Sequence, residues 1–172
     1  LKKVASYLIL WAEKCSKKVK DFASYVTDEK CRLNLIKLSD ALNRVPKNKP
    51  LSFYEAILCI YICFSANPDS VGTLDRYLRE FYDKDISLGV ITKEEAKEYL
   101  QELFLMLQAS THITSPNFTR GGQSHFCIGG YLPDKSDGFC DLSYLIVESL
   151  MELPTYIPQV TLQEDIQFEK PE

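Results

Sequence analysis

The sequence has few residues of the kinds that mark fibrous, disordered or membrane-spanning chains. It contains seven Gly and eight Pro in 172 residues, too few for collagen-like or linker material. Apolar residues make up 45% of it, which excludes intrinsic disorder. The longest apolar run, from Ala56 to Ala66, is far shorter than the roughly 18 residues that a membrane-spanning helix requires. The sequence therefore predicts a soluble globular chain of about one domain, with no membrane partner.

An excess of basic charge and the spacing of metal ligands are also missing. The formal net charge is −4, so the chain has no long-range attraction for nucleic acid, and we predict no such partner. Only His112 and His125 accompany six Cys, and no spacing resembles a zinc site, so no metal is predicted. Four cysteines lie in helical patterns: Cys15, Cys31, Cys59 and Cys63. We expect reduced, buried, structural thiols in a cytoplasmic protein.

Helical periodicity dominates the chain and predicts a mainly α fold with about six helices and one or two short strands. The first predicted helix covers 2–25, and the second is capped by Asp28 and ends near Val45. The third covers 56–65 and follows the capping pattern Ser52–Glu55, and the fourth ends near Gly89. The fifth begins with the capping pattern Thr92–Glu95, and the sixth covers 141–153. The strand candidates are 125–128 and 159–162, with Phe126 and Ile128 expected in the core.

The residues by themselves indicate no self-contained active site. His112 and His125 are of the right type for general bases, but no nucleophile motif is placed against them. The Gly pairs Gly121-Gly122 and Gly129-Gly130 lack the spacing of a phosphate-binding loop, so we expect turns where two backbones approach closely. The segment 134–138 has its Gly one position early for a calcium loop and carries Leu145 where a Glu is needed.

Four motifs nevertheless occur in one familiar order. They are Val45-Pro46 followed by SFYEAI at 52–57, GTLDRY at 72–77, a Tyr-Asp to Glu-Ala helix pair at 82–96, and Gly129-Gly130 with Gly138 and LSYL at 142–145. Together these resemble the glycyl-radical enzymes, the pyruvate formate-lyase superfamily, over residues 45–162. The residues that carry the resemblance are Phe53, Glu55, Ala56, Gly72, Asp75, Tyr77, Gly129 and Gly130.

Departures from the family pattern indicate a divergent member. Thr73 stands where the family has Arg, Arg76 where it has Gln, and Leu58 where Gln follows Glu-Ala-Leu. The Asn-Glu before Leu-Ser appears as Cys140-Asp141.

The resemblance implies a fragment of a larger domain. Residues 1–172 would be one domain piece, with leading helices over 1–45, motif-bearing helices over 46–110, and a Gly-rich segment, helix and short strands over 111–172. The family encloses its chemistry in a ten-stranded barrel wrapped in helices. This chain would supply part of the helical layer and one or two barrel strands, and the remainder of the barrel would be its partner.

The resemblance also implies a reaction: radical cleavage of a C–C or C–X bond in a small-molecule substrate, of the formate acetyltransferase, lyase or dehydratase type, in anaerobic metabolism. In the family, a radical S-adenosylmethionine activating enzyme removes a hydrogen atom from a backbone Gly, and the radical passes to a Cys. The Cys-x-Glu or paired-Cys loop and the R-V-x-G-Y-like loop are not in this sequence. We therefore predict no catalytic residue, no bound cofactor and no activity for this chain alone.

One residue is matched to a substrate contact. In dehydratase-like members a Ser just before the G-R-x-D motif lies near substrate, and Ser70 matches that position. Its alternative is a helix cap or turn residue, and Asp75 is more simply a salt bridge or cap. The alternative for the whole chain is a non-catalytic helical interaction module derived from the family. A Cys loop and a radical-Gly loop further along the parent protein would separate the two hypotheses.

Overall fold

The computed structural model describes residues 2–66, 70–110, 125–154 and 158–163. Within these ranges the helices are α1 (Lys2–Ala23), α2 (Glu29–Arg44), α3 (Phe53–Ala66), α4 (Leu74–Ser87), α5 (Lys93–Ser110) and α6 (Asp141–Met151); the strands are β1 (Ser70–Thr73), β2 (His125–Gly129) and β3 (Gln159–Gln163). The predicted mainly helical fold is confirmed, with one strand more than expected. The chain forms two compact units, Leu1–Asn67 and Pro68–Glu172, so the single-domain interpretation and its three segment boundaries stay predictions.

The first unit is built from α1, α2 and α3. Small residues let α1 and α2 approach closely, and two buried serines bond across the contact: Ser16 Oγ donates to Ser39 O at 2.7 Å, and Ser39 Oγ donates to Ser16 O at 3.0 Å. An apolar cluster joins α3 to this pair, and its buried members are Ala12, Ala41, Leu42, Val45, Leu58 and Ile62.

Helix capping follows the sequence patterns. Asp28 accepts a hydrogen bond from Cys31 N at 2.7 Å, and Thr92 and Glu95 exchange two bonds of 2.8 and 3.1 Å, the full capping box. At α3 the box is shifted by one residue. Glu55 N still donates to Ser52 Oγ, but the Glu55 carboxylate accepts from Leu51 N at 2.7 Å.

The expectation of buried cysteines is wrong. All six thiols are free, but Cys31 and Cys63 are exposed and Cys15 and Cys59 only half-buried. Sequence pattern places a residue on a helix but does not decide how far its neighbours cover it. Of the helices in the described ranges, none combines the length and hydropathy needed to cross a membrane.

The second unit contains a parallel sheet in the order β1-β2-β3. Phe126 and Ile128 of β2 are fully buried, as expected, and the Phe126 ring stacks on Phe104 of α5 with centroids 5.5 Å apart. The unpredicted strand β1 has only four residues, one of them Gly. Its extended form depends on pairing with β2, a partner more than fifty residues later in the chain.

Replacement of Phe104 tests this core against an adjacent residue on the same helix. Phe104 is fully buried whereas Leu105 is 48% exposed. We expect Phe104→Ala to lower the free energy of unfolding by about 3–5 kcal/mol, and Leu105→Ala by less than about 1 kcal/mol. Urea denaturation measures both changes. If Phe104→Ala does not fold, Phe104→Leu supplies the milder comparison; equal losses for the two positions would contradict this packing.

Candidate functional site: the polar face of the parallel sheet

One face of the sheet is polar because polar and apolar residues alternate along its strands. Phe126 and Ile128 of β2 are buried. His125 and Cys127, which alternate with them along the strand, therefore lie on the opposite face. The strand register aligns His125 with Ser70 and Gln159, and Cys127 with Thr73 and Thr161. We call this set the polar face: Ser70, Thr73, His125, Cys127, Gln159 and Thr161. Its members are exposed or half-buried.

Ser70 and His125 form the closest side-chain pair on the polar face. Ser70 Oγ lies 3.5 Å from His125 Nε2 and 3.3 Å from His125 O, and it accepts a hydrogen bond from Gly72 N at 3.1 Å. These contacts hold the hydroxyl at the amino ends of β1 and β2. Ser70 therefore lies within a strand and does not cap α4, whose N-cap is Thr73. The helix-cap alternative for Ser70 is wrong.

The chemistry of the polar face is that of hydrogen-bonding groups. Its six side chains are hydroxyls, an amide, an imidazole and a thiol, with no carboxylate and no ammonium group. Adjacent strands lie about 4.8 Å apart, so the row Ser70–His125–Gln159 extends over about 10 Å, the size of a small molecule. In the described part of the chain no group of three or more His, Cys, Asp or Glu could hold a metal ion. The face can bind and orient a small polar molecule, and its one hydroxyl–imidazole contact, Ser70 Oγ to His125 Nε2 at 3.5 Å, is longer than the roughly 2.6–3.2 Å typical of a nucleophile–base pair.

A buried carboxylate fixes the end of β2 beside this face. Asp75, at the start of α4, is 1% exposed. Its Oδ2 accepts from Gly129 N at 2.7 Å and from Ser143 Oγ at 2.6 Å, and its Oδ1 accepts from Arg76 N at 2.9 Å. The positive ends of α4 and α6 are both near this carboxylate. Asp75 thus joins two helices to one strand, a role that neither a salt bridge nor a simple cap describes.

Arg76 and the Gly pair complete this connection. Arg76 Nη2 donates to Gly129 O at 3.2 Å and to Tyr131 O, so the residue that replaces the family's Gln holds the chain just after β2. Gly129 and Gly130 have φ of +77° and +78°, which favours Gly. A Cβ at Gly130 would lie 2.5 Å from Gln163 Oε1, and Gly130 N donates to Gln163 O at 2.9 Å. The expected close approach of backbones is present at this pair.

The other motif residues are not members of the polar face. Gly72 has φ of +80°, and the Tyr77 ring covers it so closely that a Cβ would lie 2.8 Å from the hydroxyl oxygen. Phe53 and Ala56 are buried in the first unit, where Glu55 closes the start of α3. These residues stabilise the local structure. The pair Gly121-Gly122 and His112 lie outside the described residues.

Sequence reasoning missed most of the polar face. From the sequence, His125 is only a candidate general base, and no role is predicted for Cys127, Gln159 or Thr161. The sequence feature that indicates these residues is the alternation of polar and apolar positions. His-Phe-Cys-Ile at 125–128 and Gln-Val-Thr-Leu at 159–162 each carry polar residues at every second position. That pattern predicts a polar face only once the two segments are known to pair.

Removal of the Asp75 carboxylate tests the connection. Asp75→Ala leaves Gly129 N and Ser143 Oγ without their buried acceptor, so we expect a loss of about 3 kcal/mol in the free energy of unfolding. The matched control is Asp83→Ala on the same helix, an exposed residue that pairs with Arg79, with a loss within about 0.5 kcal/mol. Chemical denaturation measures both. A Ser143→Ala, Asp75→Ala double-mutant cycle with no coupling energy would contradict the shared bond.

Comparison with known proteins places this fold and site in a family. The model of the family described as pyruvate formate lyase-like matches residues 1–169. The chain is 30% identical over 171 residues to isethionate sulfite-lyase of Bilophila wadsworthia, covering 91% of this chain and 21% of that protein. It is 31% identical over 174 residues to the 4-hydroxyphenylacetate decarboxylase glycyl radical subunit of Clostridium scatologenes, covering 94% and 19%.

A solved structure shows the same fold. A glycyl radical enzyme from Archaeoglobus fulgidus superimposes with a TM-score of 0.80 at 26% identity, over 90% of this chain and 22% of that one. The chain thus spans about a fifth of the length of the curated relatives it matches, 21% and 19%. The resemblance stated from the four sequence motifs is confirmed: the chain belongs to the pyruvate formate lyase-like family of glycyl radical enzymes.

Proposed function

We propose that this chain is part of a glycyl-radical enzyme that cleaves a C–C or C–X bond of a small molecule, and that the polar face forms part of the wall of its substrate chamber. The observation that carries the proposal is the row Ser70–His125–Gln159, three hydrogen-bonding side chains in register on adjacent strands. Such a row orients a small polar substrate without reacting with it. That is the task of a protein wall in radical chemistry, where the reactive group is supplied elsewhere.

The relatives favour a lyase over a formate acetyltransferase. By their names, one of them releases sulfite and another removes a carboxyl group, so both break a bond to carbon. Ser70 is the residue that we assign to substrate contact, and His125 is its neighbour on the same face.

The radical itself would come from outside the matched segments. The sequence contains neither the family's Cys loop nor its radical-Gly loop. We therefore assign the catalytic thiyl and the glycyl radical to the rest of a longer protein, with a radical S-adenosylmethionine activating enzyme as the partner that installs the radical. The reaction would belong to anaerobic metabolism in the cytoplasm. This chain's own part is to hold the substrate and to keep water away from it.

The alternative is a non-catalytic interaction module, and one surface feature favours it. An apolar groove lies between α6 and β3, lined by Phe139, Tyr144, Val147, Met151 and Leu162 with Glu148 and Glu152 at its edge. Met151 is 82% exposed. A stand-alone module would use such a surface for a partner, whereas in a complete enzyme the rest of the protein would cover it.

The first experiment is anaerobic activation of the longest protein that contains this chain. We expect the electron paramagnetic resonance signal of a glycyl radical, and turnover of a small sulfonated or carboxylated substrate measured as release of sulfite or carbon dioxide, respectively. A parent protein with no Cys loop and no radical signal would overturn the enzyme hypothesis and favour the interaction module.

Substitution of Ser70 tests the polar face in that activated enzyme. We expect Ser70→Ala to lower kcat/KM by about tenfold, the effect of one lost substrate hydrogen bond, with the radical signal unchanged. The control is Ser87→Ala, which removes an exposed hydroxyl that donates to Lys84 O at the end of α4. Identical kinetics for the two variants would remove Ser70 from the substrate site.

A further inference from the structure

Two cysteines of α3 form a thiol pair that the radical chemistry does not use. Cys59 and Cys63 are four residues apart, so they project from the same side of the helix on successive turns. Cys63 is exposed and Cys59 is half-buried. Their side chains are in hydrogen-bonding contact with each other. The pair lies in the first unit, whereas the polar face lies in the second.

The contact gives the two thiols different pKa values. The Cys59 thiol donates to the Cys63 sulfur and lowers the pKa of Cys63 to about 6, while the pKa of Cys59 is raised. Cys63 is therefore mostly a thiolate at neutral pH, the form that acts as nucleophile and metal ligand. The other exposed thiol, Cys31, is its opposite: hydrogen bonding to the Asp28 carboxylate raises the pKa of Cys31.

The helix spacing decides what the pair can bind. Residues four apart on a helix have Cβ atoms about 5–6 Å apart, whereas a disulfide needs about 3.5–4.5 Å. A direct S–S bond would thus require the end of α3 to unwind. A bridge with one atom between the two sulfurs is longer and fits the helix as it stands.

We propose that Cys59 and Cys63 form a two-thiol site for a thiophilic centre that accepts both sulfurs on one atom, of the class of the trivalent arsenicals. With phenylarsine oxide the step balances without an oxidant. Two As–S bonds form, the arsenic–oxygen bond breaks, and the oxygen leaves as water with two protons, one from the Cys59 thiol and one from solvent. Arsenic stays trivalent, and neither sulfur is oxidised.

The test is titration of the full chain with phenylarsine oxide in the absence of other thiols. We expect one adduct per chain by intact mass, and the loss of two of the six free thiols in a thiol assay. Peptide mapping after alkylation should find Cys59 and Cys63 protected and Cys31 alkylated. This readout needs no variant, so it does not depend on how well a mutant folds.

Single substitutions separate the pair from a single reactive thiol. Cys63→Ser and Cys59→Ser should each weaken the adduct by on the order of 10²-fold, because chelation by two groups is lost. Cys31→Ser, the control at an exposed thiol, should leave it unchanged. Alkylation of Cys63 by iodoacetamide should reach half its maximal rate near the pKa of about 6. An adduct that survives both substitutions, or protection of other cysteines, would overturn the proposal.

Discussion

The second unit depends on one buried carboxylate. Asp75 accepts hydrogen bonds from the last residue of β2 and from Ser143 of α6, while it belongs to the first turn of α4. An ionisable side chain that is 1% exposed is stable only when its oxygens are fully bonded, so these three elements must come together for any of them to be in place. The position of β2, and with it the register of His125 and Cys127 against the neighbouring strands, follows from this connection.

The two faces of the sheet have different roles: the buried face contributes to stability, and the polar face to the proposed function. On one face Phe126 and Ile128 are closed off from solvent, and Phe104 stacks against the first of them. On the other, the polar residues remain accessible. The proposed substrate chamber therefore requires no special loop in this chain: its wall is the reverse side of a strand whose other side is core. The side chains of such a wall have well-defined positions, because residues on strands move less than residues on loops.

One departure from the family pattern, Arg76, lies beside Asp75 in this second unit. Arg76 stands in place of the usual Gln and bonds to two carbonyl oxygens at the end of β2. The guanidinium has several donors in a fixed plane, so one side chain can hold two acceptors. Arg76 thus connects the start of α4 to the Gly129-Gly130 turn.

Local signals explain which parts of the fold could be predicted. Asp28 and the pair Thr92–Glu95 marked helix starts because a cap is made by residues within one turn of each other. The order of motifs was enough to predict the family. Strand β1 could not be predicted, since four residues with a Gly have no strand pattern of their own and become extended through β2. The exposure of Cys63 was also missed, because an apolar helix does not reveal which of its sides lacks a neighbour.

By itself, then, the sequence determined the helices, their caps and the family, all of which rest on residues close together in the chain. The tertiary structure alone decided the three-strand register, the polar face, the role of Asp75 and the exposure of Cys63. The physical reason is distance along the chain. Ser70, His125 and Gln159 are separated by more than thirty residues at each step, and only the hydrogen bonds between parallel strands bring them into one row.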